Sequence, residues 1–195
     1  LAFLAPYGQL AFMPSLFIRK YDWSPDKLAV AYGAIAVIAG AGGSLAGGWL
    51  VDHWRRRGVS SSPWILCLGG AFLSLAPAAF APLAESATVS LVWFGVAAIF
   101  ANWPSIGALA VIADITPNEL RGQITAGHTA LIGLVSAGLG PVVVGLLTDR
   151  VFGTDAALDR SLSVTFAACA LMSTLILTLG YRSYRRALQT RLDIG

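Results

Sequence analysis

His128 is the one ionisable side chain set inside a long apolar run of this chain. Thr125, Thr129, Ile132 and Ser136 stand around it at steps of three and four, which on a helix makes a largely polar stripe. An imidazole in such a place is a candidate proton carrier or solute-binding group. Hydrolytic chemistry needs a nucleophile with a base in reach. Ser44 and His128 are the sole plausible pair, and there is no G-x-S-x-G elbow. The reading is therefore no catalytic residues and no enzyme. Uncharged polar groups inside other apolar runs are Tyr7 and Gln9, Tyr32, and Asn102 with Ser105. Of these, Tyr7, Gln9 and Asn102, together with His128 and Thr129, are candidates to line a shared cavity, while Tyr32 and Ser105 are assigned to packing. No acid lies in the middle of a run, so a coupling proton would use His128 or a carboxylate outside this chain. Cys67 and Cys169 sit in apolar surroundings without metal-ligand spacing, so no metal and no cofactor is expected.

The remaining ionisable groups collect in short turns. Asp52 is followed by Arg55, Arg56 and Arg57, and Asp114 is followed by Arg121. Opposite charges in neighbouring turns can latch helix ends in one conformation and release them in another. Between the turns the chain is apolar. Of 195 residues 56% are hydrophobic and 12% charged, with a mean hydropathy of +0.72, against about 25% charged in an average soluble domain. This excludes a disordered tail, a disulfide scaffold and an ordinary soluble enzyme, and it makes the lipid bilayer the main solvent. The net charge of +3 is spread between apolar blocks rather than along a stripe, which argues against nucleic acid.

A bilayer-crossing helix needs about 20 mostly apolar residues. Six stretches qualify, at about 1–18, 28–50, 63–84, 88–113, 123–147 and 161–180. The expected fold is an all-α membrane protein of six antiparallel transmembrane helices. Entry from the cytoplasm at residue 1 puts eight basic residues inside (Arg55, Arg56, Arg57, Arg121, Arg182, Arg185, Arg186, Arg191) and five outside (Arg19, Lys20, Lys27, Arg150, Arg160). Both ends are therefore placed in the cytoplasm. Leu1 opens inside an apolar run with no basic segment before it, which reads as a truncated N-terminus.

The second helix carries Gly43-x-x-x-Gly47, and the fifth carries Gly140, Pro141 and Gly145. Small residues at helical spacing let backbones approach closely, and Pro141 is expected to bend its helix. An internal echo joins the two. Gly48-x-Leu50-x-Asp52-His53 closes the second helix, and Gly145-x-Leu147-x-Asp149-Arg150 closes the fifth, 97 residues later. Pro25-Asp26-Lys27-Leu28 and Pro117-Asn118-Glu119-Leu120 pair more loosely at an offset of 92. Together they suggest two three-helix units, inverted relative to each other, a 3+3 inverted repeat of the kind that marks secondary transporters.

These segments resemble the major facilitator superfamily. Gly48, Leu50, Asp52, His53, Arg56 and Arg57 match its G-x-L-x-D-basic-x-G-basic-basic loop, although Arg55 takes the second glycine position and Gly58 comes three residues late. Asp114, Pro117, Arg121 and Gly122 look like its acid-x-x-Pro-x-x-x-Arg-Gly loop, and Pro117 reads as a first-turn helix residue. Gly140, Pro141 and Gly145 resemble its glycine-proline helix. The exit segment Asp149-Arg150-Val151-Phe152-Gly153 is similar to bacterial Spinster-type carriers. The resemblance implies that residues 1–195 are the C-terminal half-domain of a twelve-helix carrier whose N-terminal six-helix half is missing. It also implies secondary active transport by alternating access in a bacterial inner membrane. The solute would be small and organic, and the subfamily implies a lipid-like or amphipathic one. Asp52, Arg56, Asp114 and Arg121 would form a gating latch, with Arg55 assigned to anchoring. The alternative is a stand-alone six-helix membrane protein acting as a homodimer, either a small transporter or an assembly factor.

Overall fold

The structure is a computed structural model that describes residues 4–146 and 158–192. Six helices follow one another: α1 (Leu4–Tyr21), α2 (Pro25–Arg56), α3 (Ser62–Phe80), α4 (Ala87–Ile115), α5 (Asn118–Leu146) and α6 (Leu158–Leu192). A 3-10 turn, Ala81–Leu83, extends α3. Each helix follows one apolar run, and most continue into a polar flank, because a backbone in lipid keeps its hydrogen bonds only by staying helical. α6 goes furthest, running 12 residues beyond the apolar limit at 180. Five helices, α2 to α6, are long and apolar enough to cross a membrane. α1 falls short of that measure, with Gln9, Pro14, Arg19 and Lys20 among its 18 residues.

Neighbours in sequence are mostly not neighbours in space. α4 lies in the middle, packed along α3 on one side and α2 on the other. α6 lies on α3, and α1 lies chiefly on α5 with a lighter contact to α6. The densest core sits at the end where α1 stops and α6 begins. There Met13, Leu16 and Phe17 meet Leu28, Leu91, Phe94, Val144, Leu162 and Phe166. The Phe17 ring stands edge-on to Trp23 at 5.5 Å. Hydrogen bonds close this end. Lys20 donates to the Pro82 carbonyl at 2.7 Å and pairs with Asp159 at 3.2 Å. The Tyr21 hydroxyl donates to the Ala84 carbonyl at 2.6 Å. Several hydroxyls within the spans donate back to their own helix, such as Thr165 to Ser161 and Ser173 to Cys169. They enter lipid already satisfied.

Gly43 is pressed so closely onto α4 that an added methyl would sit 2.9 Å from the Ile99 carbonyl oxygen, and at Gly47 it would meet Ile106 and Trp103 at 3.0 and 3.1 Å. Gly140 is buried where Gly8 of α1 meets α5. Gly145 differs from the packing role expected of it. Nothing lies within 4 Å of its added methyl, because the α5 face that meets α1 carries 140 and 144 and leaves 145 to one side. The tightest approach is between α3 and α4, which the sequence did not single out. There a methyl on Gly70 would lie 2.6 Å from Trp103 and 2.7 Å from the Phe100 carbonyl. α5 passes through Pro141 without a break in the helix, and α5 begins one residue after Pro117, outside the helix rather than in its first turn. The Pro117 carbonyl accepts the Leu120 and Arg121 amides at 3.2 and 3.1 Å.

Candidate functional site

The ends of α2, α4 and α6 and the starts of α3 and α5 gather at the arginine-rich end of the bundle. α2 terminates in a glycine turn. Gly58 has φ +84°, its amide donates to Arg55 O at 2.9 Å, and the Val59 amide donates to Trp54 O at 3.0 Å. This pair of bonds is the Schellman arrangement, which needs a residue with positive φ after the helix. The tight turn is thus made at Gly58, three residues after the family's position, and Arg55 is left as a helical residue.

Arg55 uses that position. Its Nη2 lies 2.8 and 2.7 Å from the two carboxylate oxygens of Asp114, near the end of α4. The ion pair falls to Arg55, which the sequence assigned to anchoring, and not to Arg56. The cause is register. Ala39, Gly43, Gly47 and Val51 are the residues with which α2 meets α4, and Arg55 is the next step of four along that face. Arg56 points about 100° away from it. Arg121 joins the same end from α5, donating from Nη2 to the Ala113 carbonyl at 2.8 Å, while its buried Nε finds no partner among the described residues. Asp52, Arg56 and Arg57 are exposed and outside this cluster, and Gly48 faces open space.

Aromatic residues complete the cluster. Tyr184 of α6 is buried and stacks on Trp64 of α3 with ring centres 4.9 Å apart. Its phenol lies in the field of both Asp114 and Arg55. The Trp64 indole donates to Leu177 O at 2.9 Å, and its ring lies against Gly180. Two couples therefore meet at this end, Arg55–Asp114 between α2 and α4 and Tyr184–Trp64 between α6 and α3.

The five cavity candidates do not converge on one space. Gln9 lines a small opening, with Ala71, Ser74, Pro104, Cys169 and Ser173 among its other walls, between α1, α3, α4 and α6. Tyr7, Asn102, His128 and Thr129 are not among its walls. The Asn102 amide donates to Ala98 O at 2.7 Å, within its own helix. Tyr7 is exposed, as is Thr129, which donates to Thr125 O. His128 is half-buried on the α5 stripe with Arg121, Thr125, Ile132 and Ser136, and its buried Nδ1 has no partner among the described residues. Asp149, Arg150 and the exit segment that follows lie outside the described residues.

Among those residues no group of three or more His, Cys, Asp or Glu side chains is placed to hold a metal ion. No curated protein sequence matches the chain. In overall fold the chain is similar to the crystal structure of a bacterial homolog of the human lysosomal transporter Spinster, solved inward-facing and unoccupied. The similarity has a TM-score of 0.63 at 20% identity and covers 98% of this chain and 46% of that one. The chain thus spans about half the length of the structure it matches. The sequence itself matches the family description Major Facilitator Superfamily over residues 1–192. Long apolar helices, a charged clasp at their arginine-rich end and that match agree, and the chain belongs to the major facilitator superfamily of membrane transporters, a family of carriers and not of enzymes.

Proposed function

We propose that the chain is one six-helix half of a twelve-helix carrier, moving a small organic solute across a bacterial inner membrane by alternating access. The supporting observation is a repeated buried stripe. α2 buries Ala39, Gly43 and Gly47, and α5 buries Ser136, Gly140 and Val144, each pair 97 positions apart. That is also the offset of the Gly48 and Gly145 segments. Both stripes do the same work, since α2 packs on α4 and α5 packs on α1. The second helix of each three-helix unit lies on the first helix of the other, as an inverted repeat requires.

In this reading Arg55, Asp114 and Arg121 hold the cytoplasmic end of the half together, and Asp52, Arg56 and Arg57 face the loops of the other half. α2 and α5 are the helices whose outer faces await that half. Only 17% of the apolar window of each is buried, against 44% in α3. A latch acts by its differential energy between two states, typically 1–3 kcal/mol. The uncharged linings suit an amphipathic solute, and the coupling proton, where there is one, belongs to His128 or to the other half.

The test is two-sided labelling. In the native-length protein, with Cys67 and Cys169 replaced by serine, a cysteine at Gln9, in the wall of the opening between α1, α3, α4 and α6, is exposed to a membrane-impermeant thiol reagent from each side in turn. Labelling from both sides, with the balance shifted by solute, is the expected result. Labelling from one side under every condition overturns alternating access. The mass of the denatured polypeptide separates the two readings, a twelve-helix chain being about twice as heavy as the 20.4 kDa six-helix chain of a homodimer.

A further inference from the structure

We propose that Tyr184 is the second partner of Asp114: when Arg55 lets go of the carboxylate, the Tyr184 hydroxyl donates to it, a positioning role that rests on the gating reading above. Tyr184 is 4% exposed, and its phenol lies in the field of Asp114 and Arg55. Its hydroxyl is buried and has no hydrogen-bond partner among the described residues. A buried phenol normally finds a partner, since an unpaired hydroxyl there costs free energy. The acid in its field is taken on both oxygens by Arg55 Nη2, at 2.8 and 2.7 Å.

The helices divide so that Asp114 and Tyr184 stay together while Arg55 can leave. The start of α3 is locked to α4, where a methyl added to Gly107 would meet the Pro63 carbonyl oxygen at 2.5 Å. Trp64, the next residue of α3, stacks on the Tyr184 ring with centres 4.9 Å apart and planes 16° from parallel. Its indole donates to Leu177 O at 2.9 Å, and its ring lies against Gly180. The phenol is therefore carried by α3 and α6, and the carboxylate by α4. Arg55 comes from α2, which is pressed onto α4 at Gly43 and Gly47 but rests only lightly on α3. It stands eight residues beyond Gly47, about 12 Å along the axis. A small tilt of that end of α2 takes the guanidinium away and leaves the phenol in place.

Release of the pair needs such a group. The Asp114 side chain is 20% exposed, so a carboxylate that loses Arg55 gains little water in exchange. A largely buried charge stripped of its countercharge is costly, and a latch that ended there would rarely open. A phenol O–H on a carboxylate is a charge-assisted hydrogen bond. It stabilises the released state without adding charge to that end, and it uses the atom that the latched state leaves idle.

The experiment uses the native-length protein with Gln9→Cys and with Cys67 and Cys169 replaced by serine. Labelling by the impermeant thiol reagent from the two sides is compared for Asp114→Asn, Tyr184→Phe and both together. Phenylalanine keeps the stack on Trp64 and removes only the hydroxyl. Asp114→Asn should move the balance away from the latched state. Tyr184→Phe should move it the opposite way by roughly tenfold or more, as one hydrogen bond to a charged group implies, and should add little in the Asp114→Asn background. Since the hydroxyl is unpartnered in the latched state, Tyr184→Phe should melt at or above the parent temperature. No shift in Tyr184→Phe, or a shift in the direction of Asp114→Asn, overturns the proposal and leaves the latch standing. A lower melting temperature also overturns it, because the hydroxyl would then already be bonded in the latched state. No shift in Asp114→Asn removes the latch itself, and this role of Tyr184 with it.

Discussion

The Arg55–Asp114 pair keeps its two side chains 40% and 20% exposed. A pair so open to solvent contributes about 0.2–1 kcal/mol to stability, too little to hold the fold but enough to bias two conformations of similar energy. Asp114→Asn is therefore expected to slow solute exchange several-fold with little change in half-saturation, measured as counterflow in proteoliposomes. Asp52→Asn should have a smaller effect, since Asp52 is outside the pair. Equal effects of the two substitutions would remove the pair from the gating step. The acid of this pair was legible in the sequence from its loop, but its arginine was misassigned among three consecutive candidates. The missing signal was a register already present, Gly43, Gly47, Val51, Arg55, a step of four that only a known facing helix turns into a prediction.

Glycine content shows that helices can approach, but not where they do. In a soluble helix the apolar stripe marks the buried face. Here lipid makes the outer face apolar as well, as exposed Val37, Ile38 and Leu45 on α2 illustrate, and periodicity no longer separates the two. The α2 glycines were recognisable because they cluster, while single glycines on α3 and α4 were passed over although the contact there is the tightest. Gly70→Ala is expected to force α3 from α4 at a cost of about 1–3 kcal/mol. Its melting temperature in detergent should fall by several degrees. Gly48→Ala meets nothing within 4 Å and should leave the melt unchanged or raise it slightly. The reverse order would mean that Gly48, and not Gly70, is the packed glycine.

At the scale of the molecule, each end has its own fastening. The arginine-rich end has the Arg55 cluster. The opposite end has Lys20, which ties α1 to the 3-10 turn after α3 and to the start of α6. Lys20→Met removes both bonds and should lower the melting temperature by about 2–4 °C for each kcal/mol lost. It should leave the Arg55–Asp114 coupling intact in a double-mutant cycle. That the chain is a succession of long apolar helices was legible, because twenty apolar residues in a row have few other uses. The opening at Gln9 was not, since its walls come from four helices and include five alanines, which carry no mark of their own.

The crossed packing also sets a timetable for synthesis. α2 rests mainly on α4 and only lightly on α1 and α3, so it enters the bilayer before its principal neighbour exists. Translation from the end of α2 at Arg56 to the end of α4 at Ile115 takes about 3–12 s at roughly 5–20 residues per second. Throughout that interval the Gly43 and Gly47 face lies open to lipid or to the insertion machinery. A nascent chain released after residue 86 should be cleared rapidly by membrane proteases, whereas one released after 117, with α2, α3 and α4 joined, should persist. Pulse-chase measurement of the two truncations reads this directly, and equal lifetimes would mean that the early helices are sheltered by something other than their own later partners.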